Sequence, residues 1–211
     1  MLLGAAAGAP AVSWAQDPAL APRLSGPDLA GALAEGGYVI LFRHAATEDV
    51  APDPDAFDVA DCTTQRNLSE EGRRQAVRIG RSFEALGIRV SRVLTSPYCR
   101  CVDTGRLAFG RAEISEALAA VDELSYPERD ARGMAIRAML GTAPPEGTNT
   151  VLITHTGNLL YAFGLKARPE GIAHVFRPAE IGPAPYVGTL LPDEWPELAG
   201  IGAREPAEGS P

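Results

Sequence analysis

Lysine is nearly absent from this 211-residue chain. Of its 19 basic residues, Lys166 is the single one that is not arginine. A GC-rich genome is enough to explain that bias, and the same bias suits two-pronged binding of oxyanions. Positive charge as a whole is also short. The 27 acidic residues leave a formal net charge of −8, which speaks against a nucleic-acid partner, since such a partner calls for a basic face. No apolar run is long enough to span a bilayer, because Gly and Pro break the one candidate, residues 1–22. Histidine and cysteine number three each. The histidines are scattered and Cys99-x-Cys101 lacks zinc spacing, so no metal cluster and no cofactor are expected.

What remains is ordinary globular material, 45% hydrophobic and 22% charged, in a length that suits one domain with a real core. We place that domain over residues 26–200. The apolar start carries Ser13-Trp14-Ala15 before Gln16, which resembles a signal-peptidase site, although the usual basic n-region is missing. The expectation is a leader over residues 1–15 and a periplasmic or secreted protein, with a cytoplasmic one as the alternative. Residues 201–211 are small, charged and Pro-containing, and read as a disordered tail. In an exported protein Cys62 would pair with Cys99 or Cys101, leaving one thiol over; three buried free thiols are the competing reading.

Three runs read as buried strands, and each ends abruptly in polar residues. Tyr38–Phe42 gives way to Arg43-His44, Val90–Thr95 to Ser96-Pro97, and Thr150–Thr154 to His155. Helices are expected over 29–35 with Asp28 as cap, from the Ser69 cap to Gly87, from about Tyr98 to Phe109, over 129–140 and over 157–165. A short strand and a short helix fit within 113–121, and 122–127 reads as loop. Later strands are expected over 173–176 and 186–191, at a sheet edge. A long loop, roughly 45–67, leaves directly from His44, and a loop of that length in a compact domain is usually functional. Strands alternating with helices imply an α/β fold, three-layer α/β/α, with a mostly parallel central sheet. Arg43, His44, Arg100 and His155 then converge on the C-terminal edge of that sheet, where ligands bind in such folds.

Two guanidiniums and two imidazoles in one pocket repel one another unless an anion is bound. A phosphoryl group supplies one: its oxygens accept paired bonds from Arg43 and Arg100. A histidine could then attack phosphorus, the other could stabilise the equatorial oxygens, and a carboxylic acid is wanted to protonate the leaving oxygen.

Four segments resemble signatures of one family. FRHAATE is similar to R-H-G-x-T, NLSEEGRRQA to L-T-x-x-G-x-x-Q-A, LTSPYCRCVDTG to S-S-P-x-x-R-x-x-Q-T-A, and TVLITHTGN to a strand ending in a second histidine. In that order they resemble the histidine phosphatase superfamily, the phosphoglycerate-mutase-like group (branch 1). Ala45 and Thr156 stand where the family usually has glycine. The resemblance implies a phosphoglycerate-mutase-like fold and metal-independent phosphomonoester hydrolysis through a phosphohistidine on His44. Arg43 and Arg100, with the two histidines, would bind phosphate, and His155 would be the second histidine. Its proton donor falls on VDELSY, which points to Glu123, with Asp122 and Glu170 as alternatives. The partner implied is a small phosphorylated substrate, such as a phosphorylated sugar or envelope component, as in small bacterial periplasmic phosphatases. A mutase-type phosphotransferase and a non-catalytic phosphate- or phosphopeptide-binding module are the rival readings. Gln65-Arg66 could touch phosphate or belong to a solvated loop, Thr47 could brace the turn after His44, and His174 reads as a strand-face residue.

Overall fold

A computed structural model of the chain describes residues 20–50 and 58–201. The expected leader, the tail beyond Ile201 and residues 51–57 of the long loop lie outside the described residues. Six strands form one sheet in the order β3-β2-β4-β1-β5-β6, with β1 Val39–Arg43, β2 Val90–Thr95, β3 Glu113–Ile114, β4 Asn149–Thr154, β5 Ala173–Phe176 and β6 Tyr186–Leu190. The first four are mutually parallel, and β5 runs antiparallel to both β1 and β6. The mostly parallel α/β/α architecture expected from the sequence is the one observed.

The strand VILFR is apolar without alternation because both of its faces are covered. Ile40 and Phe42 join a core with Leu29, Leu33, Phe83 and Trp195, beneath α1 Gly26–Glu35, α2 Glu70–Ala85, α3 Cys99–Phe109 and α6 Glu194–Leu198. Val39 and Leu41 face the opposite core with Ile136, Leu140 and Leu159, beneath α4 Tyr126–Leu140 and α5 Thr156–Phe163. Among the described residues, no helix is long and apolar enough to cross a membrane.

Several boundaries move from their expected places, each for a local reason. α1 begins at Gly26 with Ser25, not Asp28, in the N-cap position, because Pro27 fits the first turn. α4 begins at Tyr126 and shortens the expected loop: Ser125 and Glu128 form a reciprocal capping box. Tyr98 is the N-cap of α3, so the helix opens at Cys99, one residue later than expected. α5 starts at Thr156 and stops at Phe163, where Gly164 turns the chain left-handed. The short α6 had no sequence signal strong enough to mark it, since its five residues include Pro196.

The start of α2 fits the expected cap closely. The Ser69 hydroxyl accepts the Gly72 N–H, and the helix packs end-on against the turn that follows β1. Gly72 makes that approach possible, because a Cβ there would stand 1.8 Å from the Ala46 carbonyl oxygen. Backbone, not a flexible side chain, is in the way, so the chain must shift to admit even a methyl. Gly72→Ala should therefore cost about 1–3 kcal/mol of stability. Reversible thermal or denaturant unfolding would show it; an unchanged midpoint would mean the turn is not held as tightly as the contact implies.

Candidate active site

Register alone brings the two histidines together. Arg43 pairs with Thr154 across β1 and β4, and Thr95 of β2 pairs with Ile153. The residues that leave the sheet here, His44, Ser96 and His155, are thus neighbours: His44 N–H donates to the Thr154 carbonyl at 3.1 Å and Ser96 N–H to the Ile153 carbonyl at 3.0 Å. The imidazoles meet edge to face with ring centroids 5.5 Å apart. Arg100 reaches the same place from the first turn of α3. All four expected residues, Arg43, His44, Arg100 and His155, are buried at one end of the sheet.

Each imidazole is held in a defined orientation. His44 Nδ1 lies 2.9 Å from the Ala45 carbonyl, which can only accept, so Nδ1 carries the proton and Nε2 keeps its lone pair. Burial pushes the His44 pKa well below the ordinary imidazole value, and the Arg100 and Arg43 charges push the same way. His155 Nε2 is 2.7 Å from the Ser96 hydroxyl, leaving Nδ1 as the second ring nitrogen. Burial, Arg100 and His44 lower its pKa too. The ring of Tyr98 packs against His155 at 4.7 Å, and the Arg100 guanidinium lies over that same ring, also at 4.7 Å.

Arg43 is clamped. One terminal nitrogen donates to the Ala167 carbonyl at 2.8 Å, and the other pairs with Glu170 at 2.6 Å. Its Nε is buried and has no hydrogen-bond partner among the described residues. Burial lowers its pKa against the opposing pull of Glu170, yet a guanidinium remains charged. Glu170 also accepts from the Thr47 N–H and hydroxyl, both at 3.0 Å, so Thr47 does brace the turn after His44.

The same turn is gripped from α2 and α3. Ala45 N–H donates to Thr104 Oγ1 and Ala46 N–H to Gln75 Oε1, each at 3.0 Å. Ala45, standing where glycine was expected, is fully buried against Leu68 and Ala76. Gln75 and Thr104 are supporting residues to which sequence reasoning assigned no role; each is a letter of its motif, the Q of L-T-x-x-G-x-x-Q-A and the T of S-S-P-x-x-R-x-x-Q-T-A, and the structure supplies the reason for it. On the far side, the Asn158 amide donates to the Leu118 and Ala119 carbonyls and to Thr154 Oγ1, tying α5 to the segment ahead of α4.

The carboxylates divide. Glu170 is engaged by Arg43 and Thr47. Glu123 is exposed in the turn before α4. Asp122, beside it, brings its carboxylate to 3.0 Å from where a Cβ on Gly157 would stand, over the first turn of α5 and two residues from His155. Cys62 and Cys99 form a disulfide with Cα atoms 5.7 Å apart, and Cys101 is the free thiol. Burial pushes the Cys101 thiol up to about 12, so it stays protonated and is no nucleophile. Gln65 is buried and structural: its side chain accepts the Cys99 N–H and donates to the Asp58 and Val59 carbonyls. His174 lies on β5 as expected, bonded to the Lys166 carbonyl and Thr189.

Comparison with known proteins agrees with this geometry. The family model of the histidine phosphatase superfamily (branch 1) matches residues 39–150, more than half of the chain, and the chain belongs to that superfamily. No curated protein matches it significantly. Solved structures of similar fold include the protein histidine phosphatase SixA complexed with tungstate, at 17% identity and TM-score 0.52, covering 74% of this chain and 97% of that one. The alpha-ribazole phosphatase of Shigella flexneri follows at 16% identity and TM-score 0.51, with 71% and 95% covered. A phosphoserine phosphatase of Entamoeba histolytica, in complex with 3-phosphoglyceric acid, shares 11% identity at TM-score 0.51, with 75% and 98% covered.

The division among carboxylates gives a contrast. Glu170→Ala leaves Arg43 without its charged partner and should cost about 1–3 kcal/mol. Glu123→Ala, at an exposed turn, should stay within about 0.5 kcal/mol. Side-by-side denaturant titrations would separate them, and equal losses would refute the clamp.

Proposed function

We propose that this chain hydrolyses phosphomonoesters through a covalent phosphohistidine on His44. The observation that carries the reading is the fixed tautomer: Nδ1–H is committed to the Ala45 carbonyl, so an unprotonated Nε2 lies buried among Arg43, Arg100 and His155. In the first step Nε2 attacks phosphorus while the bond from phosphorus to the ester oxygen breaks. The lone pair forms the N–P bond and the departing oxygen takes a proton from a carboxylic acid. In the second step water attacks phosphorus, gives a proton to the same carboxylate, and returns His44 with its lone pair. Arg43, Arg100 and His155 bind the phosphoryl oxygens, and the orphaned Nε–H of Arg43 is one donor ready for them. The acid comes from the Asp122–Glu123 turn beside α5, since Glu170 is committed to Arg43.

Two further observations support the reading. SixA, of similar fold, was solved with tungstate, a tetrahedral oxyanion. The Cys62–Cys99 bond suits an oxidising compartment and so favours export, with a small phosphorylated sugar or envelope component as substrate.

The test is turnover of an aryl phosphomonoester by wild type and His44→Ala, with an alkaline detergent quench to trap the labelled enzyme. Loss of at least a thousandfold in kcat, together with loss of an acid-labile, alkali-stable label, is expected. Residual wild-type activity in His44→Ala would sink the assignment. Asp122→Asn or Glu123→Gln should slow an alkyl phosphate far more than an aryl one, because the better leaving group needs no proton. The acid limb of kcat/KM should lie below pH 6.5, because a lowered His44 pKa keeps Nε2 unprotonated to lower pH than a free imidazole. An acid limb at or above 6.5 would mean His44 is not the titrating nucleophile.

A further inference from the structure

The long loop returns to the sheet at Arg66, and three bonds fix its approach. The disulfide joins Cys62 to Cys99, the residue before Arg100. Gln65 accepts the Cys99 N–H at 3.0 Å, and Arg100 itself donates to the Arg66 carbonyl at 3.3 Å. Asn67 donates back to the Cys62 carbonyl at 2.7 Å, closing the loop on itself. The strand-like residues that follow are fixed as well, by the pairing of Leu68 with Thr47. Arg66 is therefore delivered next to Arg100, half-buried, with its Nε fully covered. Its charge is close enough to help depress His44, His155 and Arg43.

We propose that Arg66 is a third guanidinium ligand for the phosphoryl oxygens, and that the Cys62–Cys99 disulfide presents it to the pocket. A phosphoryl group in transfer spreads its charge over three equatorial oxygens, more than a clamped Arg43 at the end of β1 and Arg100 in the first turn of α3 serve between them. Arg66 approaches from the loop side, and its planar fork suits two of those oxygens at once. The clasp matters because it is the covalent tie between this loop and α3, where hydrogen bonds such as those of Gln65 to Cys99 and Arg100 to the Arg66 carbonyl are each worth little on their own. The inference rests on the oxyanion pocket of the proposed function, but binding can be read without turnover.

Calorimetric titration of the full chain with vanadate and with inorganic phosphate, in non-reducing buffer, tests it. Arg66→Ala should weaken both about ten- to a hundredfold. Arg66→Lys should recover part of that, as a point charge lacking the fork. Dithiothreitol supplies two electrons and two protons, breaks the S–S bond into two thiols and closes to its own cyclic disulfide. Reduced wild type, titrated with inorganic phosphate because the dithiol would also reduce vanadate, should then bind as weakly as Arg66→Ala, while reduction of Arg66→Ala should change little, since the two losses share one cause. A Cys62→Ser, Cys99→Ser variant should match the reduced protein, and melting temperatures would confirm that all variants are folded. Oxyanion affinity unchanged in Arg66→Ala overturns the proposal. A second, full loss when Arg66→Ala is reduced overturns the part played by the disulfide. Wild type that binds oxyanions without hydrolysing esters would instead overturn the hydrolytic reading and leave Arg66 in place.

Discussion

Like charge buried at close quarters is the constraint to which the rest of this site answers. Arg43 and Arg100 are 5% and 4% exposed, and both imidazoles sit among them. Guanidiniums do not give up their protons, so the histidines give up theirs instead and stand neutral. Glu170 offsets part of the Arg43 charge, and the carbonyls of Ala167 and Arg66 turn their negative ends toward the two arginines. An arrangement of this kind is unfavourable in isolation and favourable around a dianion, which is why it reads as a site and not as a core.

Rigidity follows from the same constraint. The His44 imidazole sits beside two cations, and the turn after it is gripped from three sides. Thr104 holds Ala45, Gln75 holds Ala46 and Glu170 holds Thr47, three consecutive residues bound by three different segments. Gly72 lets α2 come close enough for that grip. The L-x-x-x-G-x-x-Q-A helix thus serves the site without contributing a charged group to it.

The sheet and its reacting edge were legible because buried parallel strands announce themselves as unbroken apolar runs that stop short at polar residues. YVILF, VLT and VLIT each end beside a residue of the pocket. The role of the supporting grip was not legible: Thr104 and Gln75 are letters of their motifs, but a motif does not say what a polar helix residue holds until the turn is in view. Cysteine pairing stayed open for a related reason: Cys99 and Cys101 are equivalent on paper, and only the course of the loop decides for Cys99. Arg66 belongs to the same group, because a loop's sequence does not say which way it folds back. The VDELSY turn was singled out by position alone; in the structure Glu123 is exposed and Asp122 lies against Gly157 of α5.

The order of the sheet has a consequence for how the molecule comes into being. Among the described residues β1, the strand that ends in Arg43, has β4 and β5 as its strand neighbours, and both are encoded more than a hundred residues later. Non-local pairing of that kind slows folding, because a large loop must close before any contact rewards it. A chain still being made, or one cut short before residue 154, has His44 but not His155 to set beside it. The pocket is therefore assembled only when the last parallel strand is in place, and on the proposed mechanism unfinished chains are inert.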